Sequence, residues 1–242
     1  MRLRQLVIAA ESLDTADVLQ AVLGLGAPFA DDNVTQFGLV NAVFALGDQF
    51  LEVVVPVADS APARRFIDRG GEGGYMVIFD TDDIDAVRKR ADAAGVRRVL
   101  DLDFDDITAS HLHPADMGAA IVSVDQPHVP GEWPWGGPDW KSNTINAGLA
   151  GAVVESGAAG EIAGRWGSIL GINPVGLEQG TSLPLEDAGV IEFTSGETDR
   201  PTTFRIRHPE PATVLERARK KNLPTDANSF TIAGVRLELV GA

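Results

Sequence analysis

Apolar and polar positions along the chain predict the same short series of elements four times over. Each copy opens with an apolar strand, passes through a polar turn, and enters a helix whose apolar residues recur every three or four positions. In the first copy, Val18, Leu19, Val22 and Leu23 share one helical face, and the helix is expected to stop at Gly24. A series that repeats in this way indicates an internally duplicated fold.

Short β-rich runs follow each predicted helix, so each copy is predicted to be a β-α-β-β-β repeat. The repeats are placed at residues 1–56, 73–127, 147–195 and 201–241, the last two being shortened. A single repeat would leave a sheet edge and an apolar face uncovered, so we expect the repeats to pair. The predicted fold class is therefore α+β, with four β-α-β-β-β repeats paired into two curled mixed sheets.

A segment rich in proline, glycine and tryptophan separates the second repeat from the third. It carries Trp133, Trp135 and Trp140 but shows no apolar periodicity, which is typical of a connector. We therefore expect an N-terminal domain at residues 1–127 that holds the active cleft, a connector at 128–146, and a C-terminal domain at 147–242.

Composition narrows the classes of partner. The 242 residues are 44% hydrophobic, as in a globular protein, and the formal net charge of −15 would repel the phosphates of a nucleic acid. The chain has no cysteine, which excludes disulfides, thiolate metal sites and a cysteine nucleophile. The N-terminal apolar run stops at Glu11, too early for a signal peptide, and no apolar window is long enough for a membrane helix. We expect a cytoplasmic protein, monomer or homodimer, with a small-molecule ligand and no nucleic-acid or membrane partner.

Three stretches carry a resemblance to a known family: LRQLVIAAESLDTA, FLEVVV and HPADMGAAIVSV. Together with the order of the repeats, they resemble the vicinal oxygen chelate superfamily, which includes glyoxalase I, methylmalonyl-CoA epimerase, bleomycin-resistance proteins and extradiol dioxygenases. The resemblance covers almost the whole chain. It implies that paired repeats curl their sheets around a cleft, in which a divalent metal chelates two oxygens of a substrate.

The resemblance also implies where the metal ligands would stand. They would come from the middle of the first strand of each repeat, usually as histidine, and from the last strand, usually as glutamate. The first-strand positions hold Gln5, Met76, Gly151 and Thr203, and the last-strand positions hold Glu52, Val122, Glu192 and Glu238. None is a histidine, so we expect the usual metal site to be degenerate.

His111 and His113 suggest two replacements for that site. They lie two apart on the predicted strand ITASHLH, so both imidazoles should point to one face. With Glu52, and with Gln5 or Asp116 as a weaker oxygen ligand, they could form a relocated site for one divalent ion (Fe, Mn, Zn or Ni). Without a metal, His113 or His111 and Glu52 could act as general acid and base.

Structural roles for these histidines are equally open. His113 could simply end the strand, with its ring bonded to a backbone carbonyl, and His111 could line the cleft wall. Trp133, Trp135 and Trp140 could pack the connector against the protein, or one or two of them could close the cleft over a substrate. Asp116 and Gln5 would be further binding residues. Trp166, on the third predicted helix, is expected in the core.

These observations favour a glyoxalase-like or dioxygenase-like enzyme acting on a small molecule, of the lyase, isomerase or dioxygenase type. Its metal site would be degenerate or relocated, and chemistry without any metal is an equal alternative. The competing hypothesis is a non-catalytic protein that sequesters a small molecule, as bleomycin-resistance proteins do. An acidic protein would suit a cationic drug in that role.

Overall fold

A computed structural model describes residues 1–241 of the chain. The first two repeats occupy the chain as far as Pro127. The elements of the first repeat are β1 (Arg2–Ala9), α1 (Asp14–Leu23), β2 (Leu39–Leu46) and β3 (Gln49–Pro56), followed by α2 (Pro62–Gly70). Those of the second repeat are β4 (Gly73–Asp80), α3 (Ile84–Ala93), β5 (Arg98–Asp103), β6 (Ile107–Leu112), α4 (Pro114–Met117) and β7 (Ile121–Pro127).

The connector holds one short helix, α5 (Trp140–Asn143), and the other two repeats follow it. The elements of the third repeat are β8 (Gly148–Ser156), α6 (Ala159–Leu170), β9 (Val175–Leu177), β10 (Gly180–Pro184) and β11 (Val190–Ser195). Those of the fourth are β12 (Arg200–His208), α7 (Pro211–Lys220), β13 (Ser229–Ile232) and β14 (Val235–Gly241). The predicted α+β class and the four repeats are confirmed.

Within residues 1–241 the strands form two seven-stranded mixed sheets, one from β1–β7 and one from β8–β14. The first sheet contains the strand runs β2-β3-β1 and β4-β7-β6-β5, and the second contains β13-β14-β12 and β9-β10-β11-β8. In every repeat the first strand pairs in parallel with the last, whereas the remaining pairs are antiparallel.

The prediction of which repeats are shortened is wrong in part. The third repeat has three strands after its helix, because Val175–Leu177 forms a three-residue edge strand that is too short to recognise in sequence. The first repeat has only two, because Asp32–Phe37 forms a 3₁₀ helix instead of a strand. Phe29 retains a single isolated bridge to Val43 at the place where a further strand would pair. The shortened repeats are thus the first and the fourth.

The chain divides into two compact units, each built from separate segments. The middle-repeat unit contains most of the second and third repeats, as Met1–Arg4, Met76–Pro134 and Gly151–Thr202. The outer-repeat unit contains most of the first and fourth repeats, as Gln5–Tyr75, Trp135–Ala150 and the chain from Thr203 onward. This division differs from the sequential domains inferred from sequence, whose bounds at residues 127 and 147 remain a prediction.

Each compact unit has its own packed interior. In the middle-repeat unit Trp166 is fully buried, as predicted; its indole N–H donates to the Met117 carbonyl at 3.1 Å, and its ring meets Phe193 edge-on at 5.2 Å. In the outer-repeat unit α1 packs against α7, and buried His208 bonds through Nε2 to the Leu23 carbonyl at 3.1 Å. In the described residues no helix is long and apolar enough to cross a membrane.

Candidate functional site

Three neighbouring strands of the outer-repeat unit bring a carboxylate and two carboxamides together. β3 lies between β1, which pairs with it in parallel, and β2, which pairs with it in antiparallel fashion. The Glu52 carboxylate accepts a hydrogen bond from Gln5 Nε2 at 2.7 Å on one oxygen and from Asn41 Nδ2 at 2.7 Å on the other. We call these three residues the Glu52 cluster.

The Glu52 residue is only 7% exposed, and no cation pairs with its carboxyl group within residues 1–241. Burial raises its pKa, the hydrogen bonds from Asn41 and Gln5 lower it, and the negative charge of Asp31 raises it further; burial is the strongest effect, so the pKa lies above its ordinary value. A buried carboxyl group with a raised pKa and no counter-ion is suited to exchanging a proton with a bound molecule.

Asn41 is itself held in position by the turn that precedes β2. The backbone N–H of Asp31 donates to Asn41 Oδ1 at 2.8 Å, and the Asp31 side chain accepts from the Asn33 backbone N–H at 2.9 Å. Because the amide oxygen of Asn41 is used in this way, its NH₂ group faces Glu52. Sequence reasoning missed Asn41, although an asparagine inside the apolar run LVNAVFAL was a signal that could have identified it.

A cavity of about 220 Å³ lies beside the Glu52 cluster, in the same compact unit. Val43 lines it and stands directly opposite Glu52 in the β2–β3 ladder. Directly opposed residues in an antiparallel pair share one face of the sheet, so the cavity and the Glu52 side chain lie on the same face. Its lining also includes Phe29, Ala45, Asp139, Trp140 and Asn143.

The second part of the connector covers this face of β3. The ring of Trp140 meets that of Phe50 edge-on, with centroids 5.4 Å apart. A side chain at Gly136 would bring its Cβ within 2.4 Å of the Phe50 ring, so only glycine allows the connector to approach this closely. Trp140 therefore contributes to the cavity wall, whereas Trp135 is partly exposed.

His111 and His113 lie in the middle-repeat unit and differ in their surroundings. His111 is on β6, and its ring makes no hydrogen bond within residues 1–241. Burial of the imidazole lowers the pKa of His111 to about 4, although the nearby Asp101 acts in the opposite direction. The ring is therefore neutral at physiological pH.

The strand predicted to carry both histidines is one residue shorter than expected. β6 ends at Leu112, because Pro114 begins the short helix α4 and His113 becomes its N-terminal cap. The Nδ1 atom of His113 accepts from the Ala115 backbone N–H at 3.0 Å, so the ring is bonded to an amide rather than to a carbonyl.

The remaining predicted binding residues have partners within the middle-repeat unit. Asp116 accepts two hydrogen bonds from the Arg97 guanidinium, both at 2.7 Å, which hold the pKa of its carboxyl group well below its usual range. Trp133 is 1% exposed, with the Arg4 guanidinium carbon 5.0 Å from its ring centroid. Roles for Asp116, Trp133 and Trp135 in substrate binding remain predictions.

The donor groups present do not match the metal site that the superfamily implies. No three His, Asp or Glu side chains in the described part of the chain gather where they could hold a metal ion. Both oxygens of Glu52 face N–H donors, which are hydrogen-bond donors and not metal ligands. On β8, Gly151 has a φ of +142°, and a Cβ there would lie 1.9 Å from the Val190 carbonyl oxygen, which leaves no room for a ligand.

The family model of the glyoxalase-like domain matches residues 6–169, more than half of the chain. The chain belongs to this family. This glyoxalase-like protein is accordingly a member of the vicinal oxygen chelate superfamily, as the sequence motifs implied. No curated protein matches the sequence.

Solved structures share the fold of this glyoxalase-like protein. A hypothetical protein from Staphylococcus aureus is 13% identical, with 99% of each chain covered and a TM-score of 0.70. A mutant of 4-hydroxymandelate synthase from Streptomyces coelicolor is 12% identical, with 98% of this chain and 91% of that chain covered and a TM-score of 0.68. Methylmalonyl-CoA epimerase from Mycobacterium tuberculosis is 23% identical over 52% of this chain and 88% of that chain, with a TM-score of 0.47. At these identities, the first two similarities show a common fold and nothing more.

Proposed function

We propose that this glyoxalase-like protein is a small-molecule enzyme of the lyase or isomerase type, in which Glu52 removes a proton from a carbon next to a carbonyl group. The buried, cation-free carboxyl group of Glu52 is the observation that supports this most directly. In the ionised form it is ready to accept a proton, and its raised pKa makes it a stronger base than an exposed glutamate. Gln5 and Asn41 hold it in place.

The dioxygenase alternative and the relocated metal site receive less support from the donor residues. A dioxygenase would need a redox metal, and the residues at the inherited positions do not fit one. One divalent ion (Fe, Mn, Zn or Ni) held by His111, His113 and Glu52 remains the metal-dependent form of the hypothesis, and no step proposed here passes through it. His111 and His113 as acid or base, a cytoplasmic location, and a monomeric or homodimeric state also remain predictions.

The experiment is proton exchange from D₂O into a panel of β-keto acids, α-hydroxy ketones and carboxylic thioesters, followed by NMR. For a compound whose α-proton the protein exchanges, the Glu52→Gln variant should exchange it about 10²–10⁴-fold more slowly, because the amide cannot act as a base. Glu216→Gln is the matched control, since Glu216 is an exposed glutamate of the same unit, paired with Lys220. Full exchange in Glu52→Gln would contradict the proposal.

Sequestration without chemistry is the second candidate. It is favoured by one observation: both Glu52 oxygens already accept hydrogen bonds from side chains of the protein itself, as in a purely structural network. A sequestering protein would bind a panel compound in stoichiometric amounts and leave its α-protons unexchanged. Binding without exchange in the wild-type protein would therefore favour this candidate over the enzyme.

A further inference from the structure

The cavity beside the Glu52 cluster has aliphatic and aromatic side chains at its wall, together with the polar residues Asp139 and Asn143. Val43 and Ala45 are buried strand residues at its wall, and Phe29 and Trp140 add two rings. Its volume of about 220 Å³ exceeds the roughly 150 Å³ that accommodates a benzene molecule in an apolar protein cavity. It is therefore large enough for one aromatic ring with a short substituent.

A single charged residue lines the cavity. Asp139 is exposed, precedes α5, and makes no side-chain hydrogen bond to the start of that helix. No ion pair of its carboxylate with a cation is present within residues 1–241. The carboxylate is thus available to an ammonium group of a ligand, and it would repel the carboxylate of an acidic ligand.

The net charge of the protein also favours a cationic ligand. The formal net charge of −15 attracts cations and repels anions. The Trp140 ring adds no such preference, because the Lys141 ammonium already lies 5.4 Å from its centroid.

We propose that this cavity binds a small aromatic amine, with its ring against Phe29 and Trp140 and its ammonium group paired with Asp139. The amine is the substrate class of the enzyme only if the proposed function holds. In that case the bound molecule lies beside the base, because Val43 at the cavity wall stands opposite Glu52 in the β2–β3 ladder. Binding itself does not depend on that function.

The test uses the full-length protein and three probes of similar size: benzylamine, benzyl alcohol and phenylacetate. Ligand-observed NMR titrations give their dissociation constants. The ¹H–¹⁵N resonance of the Trp140 indole reports the place of binding, and it is assigned by its absence in Trp140→Phe. We expect benzylamine to bind about fivefold more tightly than benzyl alcohol, phenylacetate to bind most weakly, and the Trp140 resonance to shift.

Two variants distinguish the effect of the Asp139 carboxylate on binding from the effect of the protein's net negative charge. In Asp139→Asn the preference for benzylamine over benzyl alcohol should disappear, and benzyl alcohol itself should bind as before. Asp17→Asn, which removes an exposed aspartate of α1 in the same unit, should keep the preference. An unchanged preference in Asp139→Asn, an equal loss in Asp17→Asn, or tightest binding of phenylacetate would overturn the proposal, as would an unshifted Trp140 resonance with bound benzylamine.

The outcome for binding can be separated from the outcome for catalysis. Proton exchange is compared between the wild-type protein and Glu52→Gln, whereas the amine preference is measured in the wild-type protein, Asp139→Asn and Asp17→Asn. If the amine preference fails while Glu52→Gln still abolishes proton exchange, only the ligand class is wrong. If the preference holds while the variant exchanges protons normally, only the role of Glu52 is wrong.

Discussion

Burial of the Glu52 side chain costs free energy whenever its carboxyl group is ionised, because two amide hydrogen bonds replace only part of the water that it loses. The protonated form is therefore favoured in the folded protein relative to the unfolded chain, in which Glu52 has the ordinary glutamate pKa of 4.5. Because Glu52 holds its proton more tightly in the folded protein, the folded state loses stability as the pH rises from the unfolded pKa of 4.5 through the folded pKa.

This effect predicts a pH-dependent difference between the wild-type protein and Glu52→Gln, measured as the free energy of unfolding in urea. From about pH 5 upward, the wild type should lose stability relative to the variant, and the difference should level off once the folded pKa is passed. In Glu216→Gln the difference should stay flat over this range, since Lys220 lowers the pKa of Glu216. Parallel curves for wild type and Glu52→Gln would show that Glu52 does not titrate as described.

At the scale of residues, sequence reasoning identified part of the candidate site. The family pattern named Gln5 and Glu52, and in the structure Gln5 Nε2 lies 2.7 Å from a carboxylate oxygen of Glu52. It missed Asn41, because its role depends on the backbone N–H of Asp31, which only the folded turn supplies. It also missed Asp139 as a cavity residue, since the path of an irregular connector cannot be derived from periodicity.

At the scale of elements, the pairing of β8 with β11 depends on one glycine. Gly151 has φ +142°, which side-chain-bearing residues rarely adopt, and a Cβ there would lie 1.9 Å from the Val190 carbonyl oxygen. Gly151→Ala should therefore lower the free energy of unfolding by about 3–5 kcal/mol, through strain and separation of the two strands. Urea unfolding measured by circular dichroism tests this.

Gly164→Ala provides a matched control, because Gly164 lies on α6 with nothing within 4 Å of its added Cβ. Alanine is the better helix former, so this variant should be more stable by about 0.5–1 kcal/mol. If both substitutions changed the free energy of unfolding equally, the close approach of β8 to Val190 would not be the reason for a glycine at position 151.

The elements that sequence reasoning missed are short or lie between the repeats. Helix α2, at Pro62–Gly70, buries only Ala63 and Ile67, so its apolar stripe is too narrow to stand out. Strand β9 is exposed along its whole length and has no buried face to produce alternation. The helices α1, α3, α6 and α7 were recognisable because each has one buried face over two or more turns. The long strands β1, β2 and β3 were recognisable because their apolar runs are buried along nearly their whole length.

At the scale of the whole molecule, the outer-repeat unit is assembled from the two ends of the sequence. Helix α1 packs against α7, the Leu23 carbonyl accepts from buried His208, and the Gln49 side chain accepts from the Leu149 backbone N–H at 2.7 Å. If the connector divided two sequential domains, the two partners in each of these contacts would belong to different domains.

Fragments 1–127 and 147–242 therefore test the two descriptions of the chain directly. Without α7 and His208, fragment 1–127 would expose the apolar side of α1 and leave the Leu23 carbonyl unpaired, so we expect it to lack a cooperative unfolding transition and to bind the dye ANS. Mixing it with fragment 147–242 should restore part of the near-ultraviolet circular dichroism, because the mixture again supplies both sides of these contacts. If fragment 1–127 alone unfolds cooperatively with the midpoint of the full chain, the sequential domain bounds are right, and the contacts from α1 to α7 contribute little to folding.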